Sequence, residues 1–166
     1  MAGSTERALR VVQLGTRPYA DALELQRAVA RARIADEITQ DVLLLVEHPP
    51  VVTLGRTAKQ RNLISSPELL HARGVELFEV ERGGDVTFHG PGQLVGYPII
   101  DLERHRKDLH WYLRQVEEAL IRALAMFGVA GRRSAGYTGV WVGADERARK
   151  IASIGVHARD WVTWHG

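Results

Sequence analysis

Apolar positions along the chain fall into short runs and spaced stripes that predict an ordered succession of elements. Residues 11–14 read as a short strand. Thr16 can cap the segment that follows, and Pro18 suits a first helical turn. Ala22, Leu25, Val29 and Ala32 recur at helical spacing, which predicts an amphipathic helix over about residues 18–37. Residues 42–47 are a Val/Leu-rich run too short for a typical helix, and they predict a buried strand. Pro49 and Pro50 break it, 51–54 resume as a strand, and Gly55 ends that strand. Residues 56–65 show no period and predict a surface loop. Ser66, Pro67 and Glu68 form a compact helix start with Gly74 as its stop. Strands are predicted at 75–80 and 94–100, with a glycine-rich segment between them. The longest helix spans about 108–127. Leu109, Leu113, Val116, Leu120, Leu124 and Phe127 form its apolar face, Asp108 its cap and Gly128 its close. Further strands are predicted at 139–142, 150–156 and 161–164.

Strands outnumber helices. They come both in adjacent pairs and alternating with helices, which predicts an α+β domain: one mixed β-sheet flanked by helices. No repeat, low-complexity tract or linker interrupts the 166 residues, and their number suits a single domain.

Composition narrows the chemistry. The chain has no cysteine, which removes disulfides, thiolate metal sites and cysteine nucleophiles from these residues, and it gives no support for secretion. The polar N-terminus has no hydrophobic segment after its charges, which argues against a signal peptide. No apolar run approaches the ~20 residues that span a bilayer. A cytoplasmic protein is expected. Lys plus Arg is 22 against 20 for Asp plus Glu, so no general nucleic-acid footprint is implied. The basic residues cluster at Arg104, Arg106 and Lys107, at Arg132 and Arg133, and at Arg147, Arg149 and Lys150. Each cluster reads either as a solvated loop or as a patch for an acidic partner.

The densest chemical signal runs from Arg82 through Gly83, Gly84, Asp85, Val86, Thr87, Phe88 and His89 to Gln93. Four glycines in the eleven residues from Arg82 let the backbone approach a ligand closely. Arg82 brings five N–H donors in a fixed fork, and Thr87 and His89 add short polar tips. The segment lacks the Gly-Lys-Ser/Thr of a phosphate loop and the spacing of a dinucleotide fingerprint. Tight turns between strands remain the alternative, and His89 alone does not decide. The seven histidines show no paired metal-ligand spacing, so no metal is expected. Lys150 opens an apolar strand. It is either a solvated lysine or a cation held beside a ligand carbonyl or a reactive acid.

These residues resemble the lipoyl(octanoyl) transferase family. The likeness begins at Gln13-Leu14-Gly15 and Tyr19. It continues through Leu45-Val46-Glu47-His48-Pro49 and Thr53-Leu54-Gly55-Arg56, then RGGDVTFHGPGQLVGYP from Arg82 to Pro98, and Thr138-Gly139-Val140-Trp141. It ends at Lys150 to Gly155 and His165-Gly166. The resemblance implies the fold of the biotin and lipoate protein ligase catalytic domain. It implies transfer of an octanoyl group from octanoyl-acyl carrier protein to a lysine of a lipoyl domain. Those domains belong to 2-oxoacid dehydrogenase complexes or are the glycine cleavage H protein. It requires no cofactor, membrane or nucleic acid. Residues 82–89, Ser153, Ile154, Gly155 and Gly166 are implied to line the acyl-substrate pocket. Lys150 matches the family lysine that lowers the pKa of the nucleophilic cysteine. That cysteine is expected beyond His165-Gly166, so the chain reads as a domain lacking its C-terminal part, and as written it forms no acyl-enzyme.

Two other readings stand beside this one. One is a non-catalytic protein that binds acyl groups or lipoyl domains. The other is an ATP-dependent lipoate or biotin ligase with Lys150 at the adenylate.

Overall fold

The computed structural model describes residues 8–166, so most of the polar N-terminal segment read above lies outside the described residues. The chain divides into two compact units. One comprises the residues up to Asp101 together with Gly155–Gly166, and the other is Leu102–Ile154. The α+β class holds. Among the described residues its strands, however, are distributed over four small sheets rather than one.

In the first unit, β1 (Leu9–Thr16), α1 (Tyr19–Ile34) and β2 (Asp41–Glu47) form a parallel crossover. The helix is the crossover connection that parallel strands require. The same device recurs with β3 (Val51–Leu54), α2 (Pro67–Ala72) and β4 (Glu76–Glu79). Then β5 (Val86–His89) pairs antiparallel with β3, and β6 (Val95–Ile99) pairs antiparallel with β2. The second unit carries α3 (Leu109–Ala125), β7 (Val140–Val142) and β8 (Arg149–Ala152), and after it the chain returns to the first unit as the hairpin β9 (Val156–Arg159) and β10 (Val162–His165).

Strand β2 alternates strictly, with Val42, Leu44 and Val46 buried. They pack in one core with Tyr19, Ala22, Leu23 and Ala30 of α1, with Tyr97 and Ile99, and with Val162 and Trp164. The helix-facing stripe differs from the predicted one. It runs through Tyr19, Ala22, Leu23, Gln26, Ala30 and Arg33, while Leu25 faces out. Two polar residues thus occupy inward positions, Arg33 fully paired and Gln26 bonded through its carbonyl oxygen while its Nε2 has no partner among the described residues. Gln26 Oε1 accepts from the His165 backbone N–H at 3.0 Å. Arg33 reaches Asp101 at 3.1 Å, Asp41 at 3.4 Å and the Ile38 carbonyl at 3.3 Å. Helix α1 has Pro18 at its N-cap and no side-chain cap, so Thr16 does not perform that role.

In the second unit, α3 begins at Asp108, whose Oδ1 accepts from the Trp111 N–H at 2.9 Å. Its fully buried residues are Tyr112 and Glu117. The six predicted apolar positions are half-buried or, at Leu109 and Phe127, exposed. Glu117 is the pivot. It accepts from Arg114 at 2.6 Å, from Arg133 Nε at 3.1 Å and from the Gly139 N–H at 3.0 Å. Arg132 donates to the Gly143 carbonyl and Arg133 also to Glu118, so that basic pair is bound up inside its own unit. Strands β7 and β8 pair antiparallel, with Trp141 opposite Lys150. The predicted strand 150–156 is interrupted at Ser153, Ile154 and Gly155, and β9 starts only at Val156.

Candidate functional site

The predicted glycine-rich segment has two halves of different character. Residues 82–85 are an irregular bend, whereas Val86 to His89 are strand β5, in register with Leu54 to Val51. Alternation along this short strand leaves Phe88 exposed and Thr87 and His89 half-buried.

Arg82 is 6% exposed and turns its guanidinium into the bend rather than outward. Nε donates to Thr53 Oγ1 at 3.2 Å, Nη2 to the Thr53 and Asp85 carbonyls at 2.8 and 2.9 Å, and Nη1 to the Gly83 carbonyl at 3.0 Å. All three guanidinium nitrogens are engaged with neutral oxygens. Burial pushes the Arg82 pKa down, and the opposing influence of Tyr19, Tyr97 and the Asp85 carboxylate offsets it only in part. The bend is also laced to its neighbours. The N–H groups of Gly55, Arg56 and Thr57 donate to the carbonyls of Asp85, Arg82 and Gly84, and the Gly83 N–H donates to Val156. A Cβ on Gly55 would stand 2.3 Å from the Gly84 carbonyl oxygen, and one on Gly155 2.6 Å from that of Gly83. These two glycines are required by close backbone approach.

Asp85 anchors the outer side. Its Oδ1 accepts from the N–H groups of Val86 at 2.9 Å and Lys59 at 3.1 Å, and Oδ2 accepts from Asn62. Partial desolvation acts to raise its pKa, but these donors outweigh it and hold the carboxyl below its usual range.

His89 sits in a cluster of rings. Tyr19 stacks nearly parallel to it at 6.3 Å between centroids, and His48 meets it edge-on at 5.8 Å. His48 Nδ1 donates to the Arg17 carbonyl at 2.7 Å, which leaves Nε2 to accept from the Tyr97 hydroxyl at 2.7 Å. Burial lowers the pKa of both histidines and raises that of Tyr19 to about 12. The cluster is therefore uncharged at neutral pH. Sequence reading placed Tyr19, His48 and Gln93 in shared motifs without giving them a role at the site. The one local signal was a histidine directly after a buried strand and before two prolines.

On the other side of this chain segment, Glu81 accepts from Arg27 at 2.7 and 3.1 Å and from Trp164 Nε1 at 3.0 Å. Desolvation would raise its pKa, but the bonds from Arg27, the backbone and Trp164 prevail and hold it down at about 2. His165 is fully buried with Nε2 3.5 Å from Glu81, and burial drives its pKa down to about 4. Gly166 follows it, with its carbonyl accepting from the Gly155 N–H at 2.6 Å.

In the second unit, Lys150 is exposed, with Nζ 4.7 Å from the centre of the Trp141 ring, a cation–π contact. Its stem crosses Gly139, where a Cβ would stand 3.0 Å from Lys150 Cε. Ser153 is exposed and Ile154 half-buried. Among the described residues no group of three or more His, Asp or Glu is arranged to hold a metal ion. No helix among them is long and apolar enough to cross a membrane.

Two helix crossovers and an arginine-stapled bend on mixed sheets define a known class of scaffold. A bi-partite lipoate protein ligase of Thermoplasma acidophilum superposes with a TM-score of 0.71 at 19% identity, covering 94% of this chain and 59% of that one. Another structure, of a putative lipoate protein ligase from T. acidophilum with bound lipoic acid, gives 0.68 at 17% identity over 94% of this chain and 66% of its own. The chain belongs to the lipoyl protein ligase A/B catalytic domain family, whose model matches residues 18–166. Its curated relatives include the octanoyltransferase of Gloeobacter violaceus, 51% identical over 94% of this chain and 66% of that protein. Another is the octanoyltransferase of Acidobacterium capsulatum, 53% identical over 95% of this chain and 68% of its own length. The chain thus spans about two thirds of these relatives.

Proposed function

We propose that these residues are the substrate-binding part of an octanoyltransferase. In this reading they act as one catalytic domain, in the cytoplasm, on octanoyl-acyl carrier protein. The acceptor is a lysine of a lipoyl domain, in a 2-oxoacid dehydrogenase complex or the glycine cleavage H protein. The observation that carries the reading is the identity above one half to curated octanoyltransferases over nearly the whole of this chain. The pre-shaped bend at 82–85 supports it: its four backbone carbonyls and the Gly83 N–H are already paired, so an apolar acyl chain can lie against them without uncovering those groups.

The chemistry needs a thiolate to take the acyl group from the carrier's thioester and a neutral amine to receive it. These 166 residues contain no cysteine. The proposal therefore assigns the nucleophile to a cysteine outside them. It gives Lys150 the role of the cation that favours its thiolate form. Residues 82–89, Ser153, Ile154, Gly155 and Gly166 are assigned to the acyl substrate. Each CH₂ removed from water contributes about 0.8 kcal/mol to acyl-chain binding.

The test uses the product of the complete reading frame, incubated with octanoyl-acyl carrier protein and a lipoyl domain. Intact-mass analysis should show one octanoyl group on the acceptor without ATP, and a hydroxylamine-sensitive adduct on the enzyme. Acceptor modification that requires ATP and free octanoate would replace this reading with a ligase. Acyl or lipoyl-domain binding without any transfer would replace it with a carrier.

A further inference from the structure

We propose that Gln93 is a positioning residue that fixes His89 in one tautomer and leaves its Nε2 lone pair as the proton acceptor for an incoming amine. The catalytic half of this inference rests on the acyl-transfer reading above. The tautomer half does not.

The Phe88 carbonyl can only accept. Gln93 Nε2 approaches it at 3.2 Å, which identifies the amine end of the Gln93 amide. The carbonyl end, Oε1, is then the atom 2.5 Å from His89 Nδ1. A carbonyl oxygen has no proton to give, so Nδ1 must carry the hydrogen. In a neutral imidazole the other nitrogen, Nε2, is then unprotonated and basic. No hydrogen-bond partner for Nε2 is found among the described residues.

The surroundings hold this arrangement in place. The turn that carries Gln93 is tied by the Gln93 N–H to the Gly90 carbonyl at 3.1 Å and by the Gly92 N–H to Glu47 Oε2 at 2.9 Å. The His89 ring is confined between Tyr19 and His48. His48 is locked by the Arg17 carbonyl and Tyr97, so neither of its nitrogens competes for the His89 proton. The groups that bear on His89 electrostatically are His48 and Arg82, and both disfavour its cationic form. The ring is therefore kept neutral, with one basic nitrogen presented.

In the transfer step the amine lone pair attacks the thioester carbonyl carbon and forms the C–N bond. The nitrogen passes a proton to His89 Nε2. The C–S bond breaks with its electron pair on sulfur, and the imidazolium returns the proton to that thiolate. Amine and thioester become amide and thiol with no further reactant. A fixed tautomer matters here because the opposite one would present an N–H where a base is needed.

The experiment has two arms. In the first, the 166-residue chain labelled with ¹⁵N-histidine is read by long-range ¹H–¹⁵N correlation at neutral pH, with His89→Asn identifying the His89 signals. The expected result is a protonated Nδ1 and an unprotonated Nε2 at His89. Gln93→Leu should lose that preference, and Gln93→Glu, which keeps an acceptor oxygen, should restore it. A protonated Nε2 in the wild type, or a Gln93→Leu spectrum unchanged at His89, would overturn the proposal. In the second arm, Gln93→Leu in the complete transferase should lower kcat by roughly 10²-fold with little change in KM, and Gln93→Glu should recover most of it. Full kcat in Gln93→Leu sinks the proton-acceptor role. A wild-type protein with no transfer at all sinks the acyl-transfer reading instead, and the tautomer measurement tells the two failures apart.

Discussion

Arg82 illustrates how one side chain serves as framework at a functional loop. Its donors go to Thr53, Gly83 and Asp85, so the bend is shaped before any ligand arrives. A lysine there would supply a point charge to a site built for a planar fork. Arg82→Lys should lower unfolding free energy by about 2–4 kcal/mol in a denaturant titration, because a charge stays buried with fewer bonds. Gly55→Ala should cost about as much for a steric reason: the new Cβ would press on the Gly84 carbonyl, which backbone bonds hold in place. A thermal melt of Gly55→Ala within one degree of wild type would refute that close approach.

At the scale of elements, the cap on α3 gives a clean test. Asp108→Ala removes the acceptor for the Trp111 N–H and should lower Tm by ~3 °C in a calorimetric scan, whereas Asp108→Asn should keep most of it. Element existence was well marked in the sequence. Strands β3 and β6, the Ser66 cap and the glycine stop of α2, and the Asp108 cap of α3 all follow from local rules. The faces of the helices were much harder to read. An apolar stripe cannot include Gln26, Arg33 or Glu117, yet each faces inward, where residues outside its own helix bond to it. Those partners lie up to 139 positions away, beyond the reach of any periodicity. Strand β5 was hidden for a related reason: its ladder partner is β3, and flanking glycines made it read as turns. For the site, the residues were legible as a motif, but the direction in which Arg82 spends its donors was not.

At the scale of the whole molecule, acid stability is set by groups whose folded pKa is depressed. The neutral form of His165 is favoured in the fold, with a folded value of about 4 against 6.5. The unfolded chain binds more protons between those values, so stability is full above about pH 6.5 and is lost as pH falls toward 4. That loss is on the order of 3 kcal/mol. His48, His89 and His157 are lowered as well and add with the same sign. Glu81 extends the decline below its ordinary 4.5 toward about 2, as protonation releases Arg27 and Trp164. Tm measured from pH 7 to 4 should fall in the wild type and fall less in His165→Gln. Parallel curves would show that His165 does not carry this dependence.

The lacing of the bend at 82–85 also bears on its behaviour in time. Glycine-rich irregular segments are usually where a chain opens first and where proteases cut. Here the amides of Gly55, Arg56, Thr57 and Gly83 are all closed onto partner carbonyls. These four should exchange with deuterium as slowly as the amides of β3, and trypsin should spare the Arg82-Gly83 bond while it cuts at exposed Arg61. The most flexible-looking stretch of this sequence would then be among the last parts of its unit to open.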